Sequence, residues 1–265
     1  MNLKYKKSSF STAFFFLKKE QKEALSVVYE FSRMADDAAD DDGEREEKIK
    51  KIEYLKEKTK EIYAGKSQKE EIFSNLSEIV KKYDIQEYVF SKLLSAMEKD
   101  VNGVDIKDRA ELEDYMFSVA GVIGIAVLKI SEYKGKNLEE ISINTGNAVQ
   151  MTNILRDIKE DLNLKRIYIP LNERMEFLKT DRIDFDSPGF KDLFRYEKNT
   201  AIDYYMKADE LFKKNKSPKL FVASVMKNTY KELLREIDFD NIQKNHKISN
   251  YKKIKAVLKS LMEVF

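Results

Sequence analysis

Three prolines and eight glycines are all that interrupt 265 residues, and a chain so short of turn-formers is pushed towards long helices. An all-β or α/β chain of this length needs many tight turns, and these draw heavily on Gly and Pro. The hydrophobic pattern agrees. Between residues 20 and 41, Ala24, Leu25, Val28, Phe31 and Ala35 recur at three- and four-residue steps, the stripe of an amphipathic helix. Gly43 is expected to stop it. Further helices are predicted over 44–64, from a Ser67/Glu70 capping box to about residue 83, and over 86–101. Asp108 should cap a long helix over 108–133. Its middle, from Val119 to Val127, is apolar on every side, so it should be the buried central helix. Helices over 137–161, 190–215, 218–238 and 250–265 complete the chain, with Pro218 in a first turn. Residues 102–105 and 162–170 read as loops, and no strand pair stands out. No Pro- or Ser-rich linker divides the sequence. The expectation is an all-α fold, residues 1–265 forming a single domain.

Composition narrows the chemistry. With 42% apolar residues a packed core is within reach. There is no cysteine, hence no disulfide, thiolate zinc site or cysteine nucleophile. The one histidine, His246, lies in a Lys-rich polar stretch and is expected at the surface. Histidine-rich metal sites are thereby excluded. Whatever reaction occurs must run on carboxylates, basic groups, hydroxyls and a hard metal ion. The 49 basic and 47 acidic residues leave a net charge of +2, so no whole-protein field for nucleic acid exists. The basic N-terminus lacks the core and cleavage site of a signal peptide. The longest uncharged apolar stretch, 117–128, is about a dozen residues, short of the ~20 that span a bilayer. The chain is expected to be cytoplasmic.

Two acidic clusters carry the chemical signal. Asp36 and Asp40 are four apart on a predicted helix, a spacing that puts Cβ atoms ~5–6 Å from one another on one face. They sit against the helix macrodipole, which calls for a compensating cation. An EF-hand register fails, because Ala38 and Ile49 would fall where ligand carboxylates belong. Downstream, Asn153, Asp157 and Asp161 follow at steps of four, with Gln150 one turn ahead. Tyr29, Arg33, Asp36 and Asp40 form a matching polar stripe, and Arg156 adjoins the second acidic group as Arg33 adjoins the first. Carboxylate pairs flanked by arginine suit a phosphate held through Mg²⁺, which takes one or two carboxylates plus substrate oxygens. The guanidinium adds bidentate contacts to the same phosphate. Two such helices facing each other would make a divalent-metal diphosphate site. The competing reading is a solvated acidic surface.

These residues resemble the squalene and phytoene synthase family. Ser9-Phe10-Ser11 with Tyr29-Glu-Phe-Ser-Arg33-Met-Ala-Asp36-Asp37-Ala-Ala-Asp40 is similar to its first signature. Asn153-Ile-Leu-Arg-Asp157-Ile-Lys-Glu-Asp161, followed by Arg166-Ile-Tyr-Ile-Pro170, is similar to its second. Tyr115-Met-Phe-Ser-Val-Ala-Gly121-Val-Ile-Gly124 matches its buried central helix. The likeness covers about residues 8–235. Where the family often has a His ahead of Ser-Phe, this chain has Lys6.

The resemblance implies an isoprenoid-synthase helical bundle around a central active-site cavity. It also implies Mg²⁺-dependent head-to-head (1′-1) coupling of two allylic prenyl diphosphates through a cyclopropyl diphosphate. By the same resemblance, Asp36, Asp40, Asn153, Asp157 and Asp161 would surround several Mg²⁺ ions. Ser9, Tyr29, Arg33, Gln150, Arg156 and Tyr230 would bind diphosphate or steer the cation, and Lys165, Arg166 and Tyr168 would lie on a closing flap. Farnesyl diphosphate is the favoured substrate. The alternatives are a C20-specific phytoene synthase, a chain-elongating prenyltransferase or cyclase on the same architecture, and a non-catalytic assembly factor. No Gly-rich strand–helix turn supports a site for NADPH. Products this apolar predict loose membrane contact, with Lys4, Lys6 and Lys7 as contributors. Two readings of Ala120, Gly121, Gly124 and Ala126 stay open: room for isoprene units, or close helix packing. Phe14, Phe15, Phe16 and Phe31 are expected to be core aromatics.

Overall fold

The stripe expected over 20–41 forms helix α1 (Lys19–Asp40) in a computed structural model that describes residues 17–242, 246 and 248–265. Its buried side carries Ala24, Leu25, Val28, Phe31, Ala35, Ala38 and Ala39. Phe31 meets Phe90 edge to face at 5.1 Å, so it is a core aromatic. Phe14, Phe15 and Phe16 lie outside the described residues. Helices α2 (Arg45–Tyr63), α3 (Glu71–Lys82) and α4 (Glu87–Asn102) pack around α1. The Ser67/Glu70 capping box does not form. Glu70 occupies the cap position without a side-chain cap bond, and its carboxylate accepts from the Tyr54 hydroxyl instead.

The helix expected over 108–133 is three segments: α5 (Arg109–Met116), a π-helical turn (Phe117–Gly121) and α6 (Val122–Ile130). Asp108 caps it as expected, accepting from the Glu111 N–H at 2.9 Å. Then come α7 (Leu138–Asn163), a short helix α8 (Leu171–Phe177) not anticipated from the sequence, and α9 (Phe190–Asn215). A 3₁₀ turn through Pro218 leads into α10 (Phe221–Glu236), and α11 (Asn250–Val264) follows. A parallel strand pair also corrects the expectation: β1 (Val104–Asp105) pairs with β2 (Arg166–Ile167), Val104 opposite Arg166. Each strand is only two residues long, so no alternating pattern could announce it. Arg109 ties α5 to α8 and α9 through Glu173 at 2.5 Å and Glu197 at 2.7 Å.

Helix α7 is the central one, with α9, α10, α6 and the π turn packed around it. Helices α1 and α7 both pack on α6 yet barely touch each other. The space between them is the cavity described below. Where α7 crosses the π turn, the backbones nearly meet. A Cβ on Gly146 would fall 2.6 Å from the Gly121 nitrogen, with the Gly121 Cα at 2.7 Å. Gly146→Ala should therefore cost about 1–3 kcal/mol, the range for overpacking a filled interior. Urea unfolding would read this as a lower midpoint at unchanged m-value. A midpoint within error of the parent protein would show that the crossing yields freely.

Candidate functional site

One cavity of about 550 Å³ gathers nearly every residue singled out by the two polar stripes. From α1 come Tyr29, Arg33, Asp36 and Asp40, and from α7 Gln150, Asn153, Arg156, Asp157 and Asp161. Helix α10 adds Tyr230 from a third side. Steps of three and four keep each set on one face of its helix, which is why a linear pattern becomes a wall. Ser9 and Lys6 lie outside the described residues. Much of the remaining lining is apolar: Leu25, Val28, Leu93, Met97, Val119, Ile123, Val127, Val149, Ile154 and Met226. The cavity thus combines carboxylates with a large hydrocarbon surface. The small residues of the π turn and α6 divide between the two readings. Ala120 and Gly124 line the cavity, whereas Gly121 makes the close crossing with Gly146 and Ala126 is buried in the core.

The ion pairs sort the acidic residues. Arg33 reaches Asp37 at 2.8 Å, four residues on, with both side chains largely exposed. Asp41 goes to Lys51 at 3.0 Å. Asp36 and Asp40 remain on the cavity side. Both arginines have carboxylate partners. Arg33 is engaged by Asp37, and Arg156 holds its neighbour Asp157 in a two-point pair at 2.7 and 2.5 Å. The helix C-terminus that called for a cation has side-chain cations: Lys48 donates to the Ala39 carbonyl at 3.2 Å and Arg166 to the same oxygen at 3.3 Å. The macrodipole alone therefore does not require a metal there.

Arg166 and Tyr168 are buried and line the cavity, and Lys165 beside them is exposed. Arg166 pairs with Asp40 at 2.7 Å and joins the strand pair to the end of α1. Tyr168 stacks on Tyr115 with centroids 4.7 Å apart. Both phenols donate to Asp100, each at 2.9 Å. Asp100 is the cavity residue that sequence reasoning missed. It sits in the last turn of α4 between Lys99 and Val101, and nothing local separates it from the many solvated acids of this chain. Its burial depends on Tyr115 and Tyr168, which arrive from distant segments.

Carboxylates crowded in a dry wall resist ionisation. Burial, then Asp40, pushes Asp36 up to about 7. Burial, then Asp157, pushes Asp161 up to about 8, with Asp100 and Asp40 adding to the repulsion against Arg166. Burial raises Asp100 to about 6. The buried Oδ1 of Asn153 has no hydrogen-bond partner, while its Nδ2 donates to Gln150 at 3.2 Å. An orphaned amide oxygen beside mutually repelling carboxylates is a donor set that fits a hard, oxygen-seeking cation. Among the described residues the acids form pairs and no cluster of three that could hold an ion by themselves. Magnesium habitually completes its shell with phosphate oxygens.

This crowding has a pH signature. Between an ordinary 3.8 and values of about 7 and 8, the folded state binds more protons at Asp36 and Asp161 than the unfolded chain does. Stability then falls as pH rises through that window. Chelator-treated protein should lose thermal midpoint from about pH 4 to about pH 8, and Asp161→Asn should flatten the slope. A midpoint that climbs across the window would contradict the repulsion.

Comparison with known proteins places this geometry. The sequence model of the squalene/phytoene synthase family matches residues 3–251. A presqualene diphosphate synthase of Rhodopseudomonas palustris is 28% identical over 233 residues, covering 86% of this chain and 82% of its own. A phytoene synthase of Mycobacterium tuberculosis is 27% identical over 195 residues, 71% of this chain and 64% of its own. In structure, a ligand-bound dehydrosqualene synthase superposes with a TM-score of 0.83 at 24% identity, covering 98% of this chain and 93% of that one. That likeness is one of fold, all-α as expected.

Proposed function

Since this chain belongs to the squalene/phytoene synthase family, we propose that it joins two allylic prenyl diphosphates head to head, with residues 1–265 working as one domain. The favoured substrate is farnesyl diphosphate and the first product a cyclopropyl diphosphate such as presqualene diphosphate. The observation that carries the reading is the lining of a single cavity, in which paired carboxylates and arginines are joined by an extensive hydrocarbon surface. In the overall step one diphosphate departs with the C1–O bond electrons. The second molecule's double bond attacks the resulting allylic carbon, and loss of a proton closes the ring.

The chain's own residues have separable tasks in this reading. Asp36 and Asp40 on one side, and Asn153, Asp157 and Asp161 on the other, would hold Mg²⁺. The chemistry a bound magnesium supplies is neutralisation of the departing diphosphate's charge. Arg33 and Arg156 would exchange their present carboxylate partners for phosphate oxygens, and Gln150 and Tyr230 would orient the same group. The apolar lining from Val28 to Met226 would keep water from an allylic cation. Asp100, held by Tyr115 and Tyr168, would place a fixed negative field beside the reacting carbons. Two relatives matched over 80% or more both of this chain and of their own length are named presqualene diphosphate synthase, which favours C15 over C20.

The test is incubation with labelled farnesyl and geranylgeranyl diphosphates, with and without Mg²⁺ and with and without NADPH, read by product mass. A Mg²⁺-dependent C30 product supports the reading. A C40 product replaces it with phytoene synthesis, and a change on adding NADPH reveals a reductive second step. No turnover of either substrate, with no binding of an unreactive diphosphate analogue, would leave the non-catalytic alternative.

A further inference from the structure

Helix α11 carries apolar residues on two sides. Its protein-facing side buries Ala256, Ser260 and Val264, packs Val257 and Leu261 against the core, and has Ser260 Oγ accepting from Asn228 Nδ2 at 2.9 Å. From the same side Glu263 receives the ammonium of the fully buried Lys227 at 2.5 Å. The opposite side carries Tyr251, Ile254, Leu258, Met262 and Phe265, each between 56% and 76% exposed. Steps of three and four residues place these five on a single stripe. Amphipathic helices of globular proteins bury such a stripe. Scattered exposed apolar side chains are ordinary, but a contiguous one along a whole helix marks a contact surface.

Charge indicates what covers it. From residue 243 to the end the sequence carries Lys244, Lys247, Lys252, Lys253, Lys255 and Lys259 against Glu263 as the one acidic side chain. Glu263 is already engaged inside the protein. Lys252 and Lys255 have partners on α10, Glu236 and Glu232, yet the segment remains strongly positive in a chain whose net charge is +2. A second copy meeting this face stripe to stripe would bring both lysine-rich flanks together. An anionic bilayer neutralises them. The family sequence model's match ends at residue 251, so nearly all of the stripe lies outside that match. None of its five residues lines the cavity.

We infer that α11 is a membrane-docking helix: its apolar stripe enters the headgroup–acyl boundary of an anionic bilayer, and the flanking lysines meet lipid phosphates. This goes beyond the coupling reaction and stands without it. It differs from the sequence expectation, which assigned membrane contact to Lys4, Lys6 and Lys7, outside the described residues.

The test is co-sedimentation of the full chain with vesicles of phosphatidylcholine alone and of equal parts phosphatidylcholine and phosphatidylglycerol. The parent protein should partition at least ~10-fold more strongly onto the anionic vesicles, and added salt should weaken it. Leu258→Gln/Met262→Gln should lose ~10-fold of that partitioning. Lys253→Gln/Lys255→Gln should lose most of the preference for anionic lipid. Both variants should keep the parent's helix content. The stripe variant should keep its thermal midpoint, since Leu258 and Met262 are exposed, and the lysine variant should move it little, since Glu232 keeps Arg235 when Lys255 is gone. Unchanged partitioning in the stripe variant, or no binding to either vesicle, would overturn the inference. So would a dimer in light scattering that the stripe variant dissociates, without vesicle binding, for the stripe would then belong to a second copy. No substrate enters the assay, so its failure and that of the coupling reaction are read separately.

Discussion

Asp36→Asn and Asp161→Asn should each cut prenyl coupling by on the order of 10²–10³-fold, mainly in kcat, while making the metal-free protein more stable. The magnitude is that of removing one preorganised charge-stabilising group from a dry site. The two effects share a cause. Asp36 and Asp161 are pushed up to about 7 and about 8 because burial and neighbouring carboxylates oppose their ionisation. An amide of the same shape removes that opposition, and it also removes the charge that would hold a cation against a departing diphosphate. Steady-state kinetics at saturating Mg²⁺, paired with thermal midpoints in chelator at pH 8, would check both. Variants that keep more than about a tenth of the parent's activity would show that these carboxylates do not carry the reaction. Variants that lose activity and stability together would point to misfolding instead. Function that costs stability is a common signature of an active site.

Lys227→Met should cost about 3–5 kcal/mol, the range for leaving buried charges without their partner. The Lys227 ammonium is fully buried, bonded to Asp209 and Glu263, and lies 4.5 Å from the centroid of the Phe212 ring. Asp209 keeps Lys231 at 2.6 Å when Lys227 is gone. Glu263 keeps only neutral donors, Ser224 and Asn228. The damage should therefore centre on the docking of α11 against α10. Chemical unfolding would measure it, and adding Glu263→Gln to Lys227→Met should recover part of the loss by removing the stranded charge. A single variant within about 1 kcal/mol of the parent would show that water reaches the network and that its burial is breached at little cost. Asp209 adds a pH arm. Burial raises its pKa, but Lys227 and Lys231 outweigh that and hold it below the ordinary carboxylate range. Its contribution is present above the unfolded value and is lost as pH falls through the folded one.

Much of the fold was legible because helices announce themselves locally. The stripes of α1 and α7, the Asp108 cap and the few breakers all act within a few residues. The members of each polar stripe were legible for the same reason, and all of those described line one cavity. The failures share a different character. The π turn at Phe117–Gly121, the two-residue strand pair and the burial of Asp100 each depend on segments far apart in sequence. Ser67 and Glu70 had the right identities and spacing for a capping box, but Tyr54 from α2 took the Glu70 carboxylate. Local propensity yields where a tertiary partner is available.

The sequence by itself determined that this chain is helical, which face of each helix is apolar, and that two helices carry stripes of carboxylate, amide and arginine. These are properties of residues three or four apart, held close by the helix whatever else the chain does. Only the tertiary structure decided which acids belong to the cavity. Asp37 and Asp41 are drawn away by Arg33 and Lys51, Asp40 is held by Arg166 from across the molecule, and Asp100 is buried by two tyrosines. It also decided that α11 would dock by Ser260 and Glu263 and leave Tyr251, Leu258 and Met262 outside. A helix presents all its faces alike, and which one is covered depends on neighbours that the local pattern does not contain.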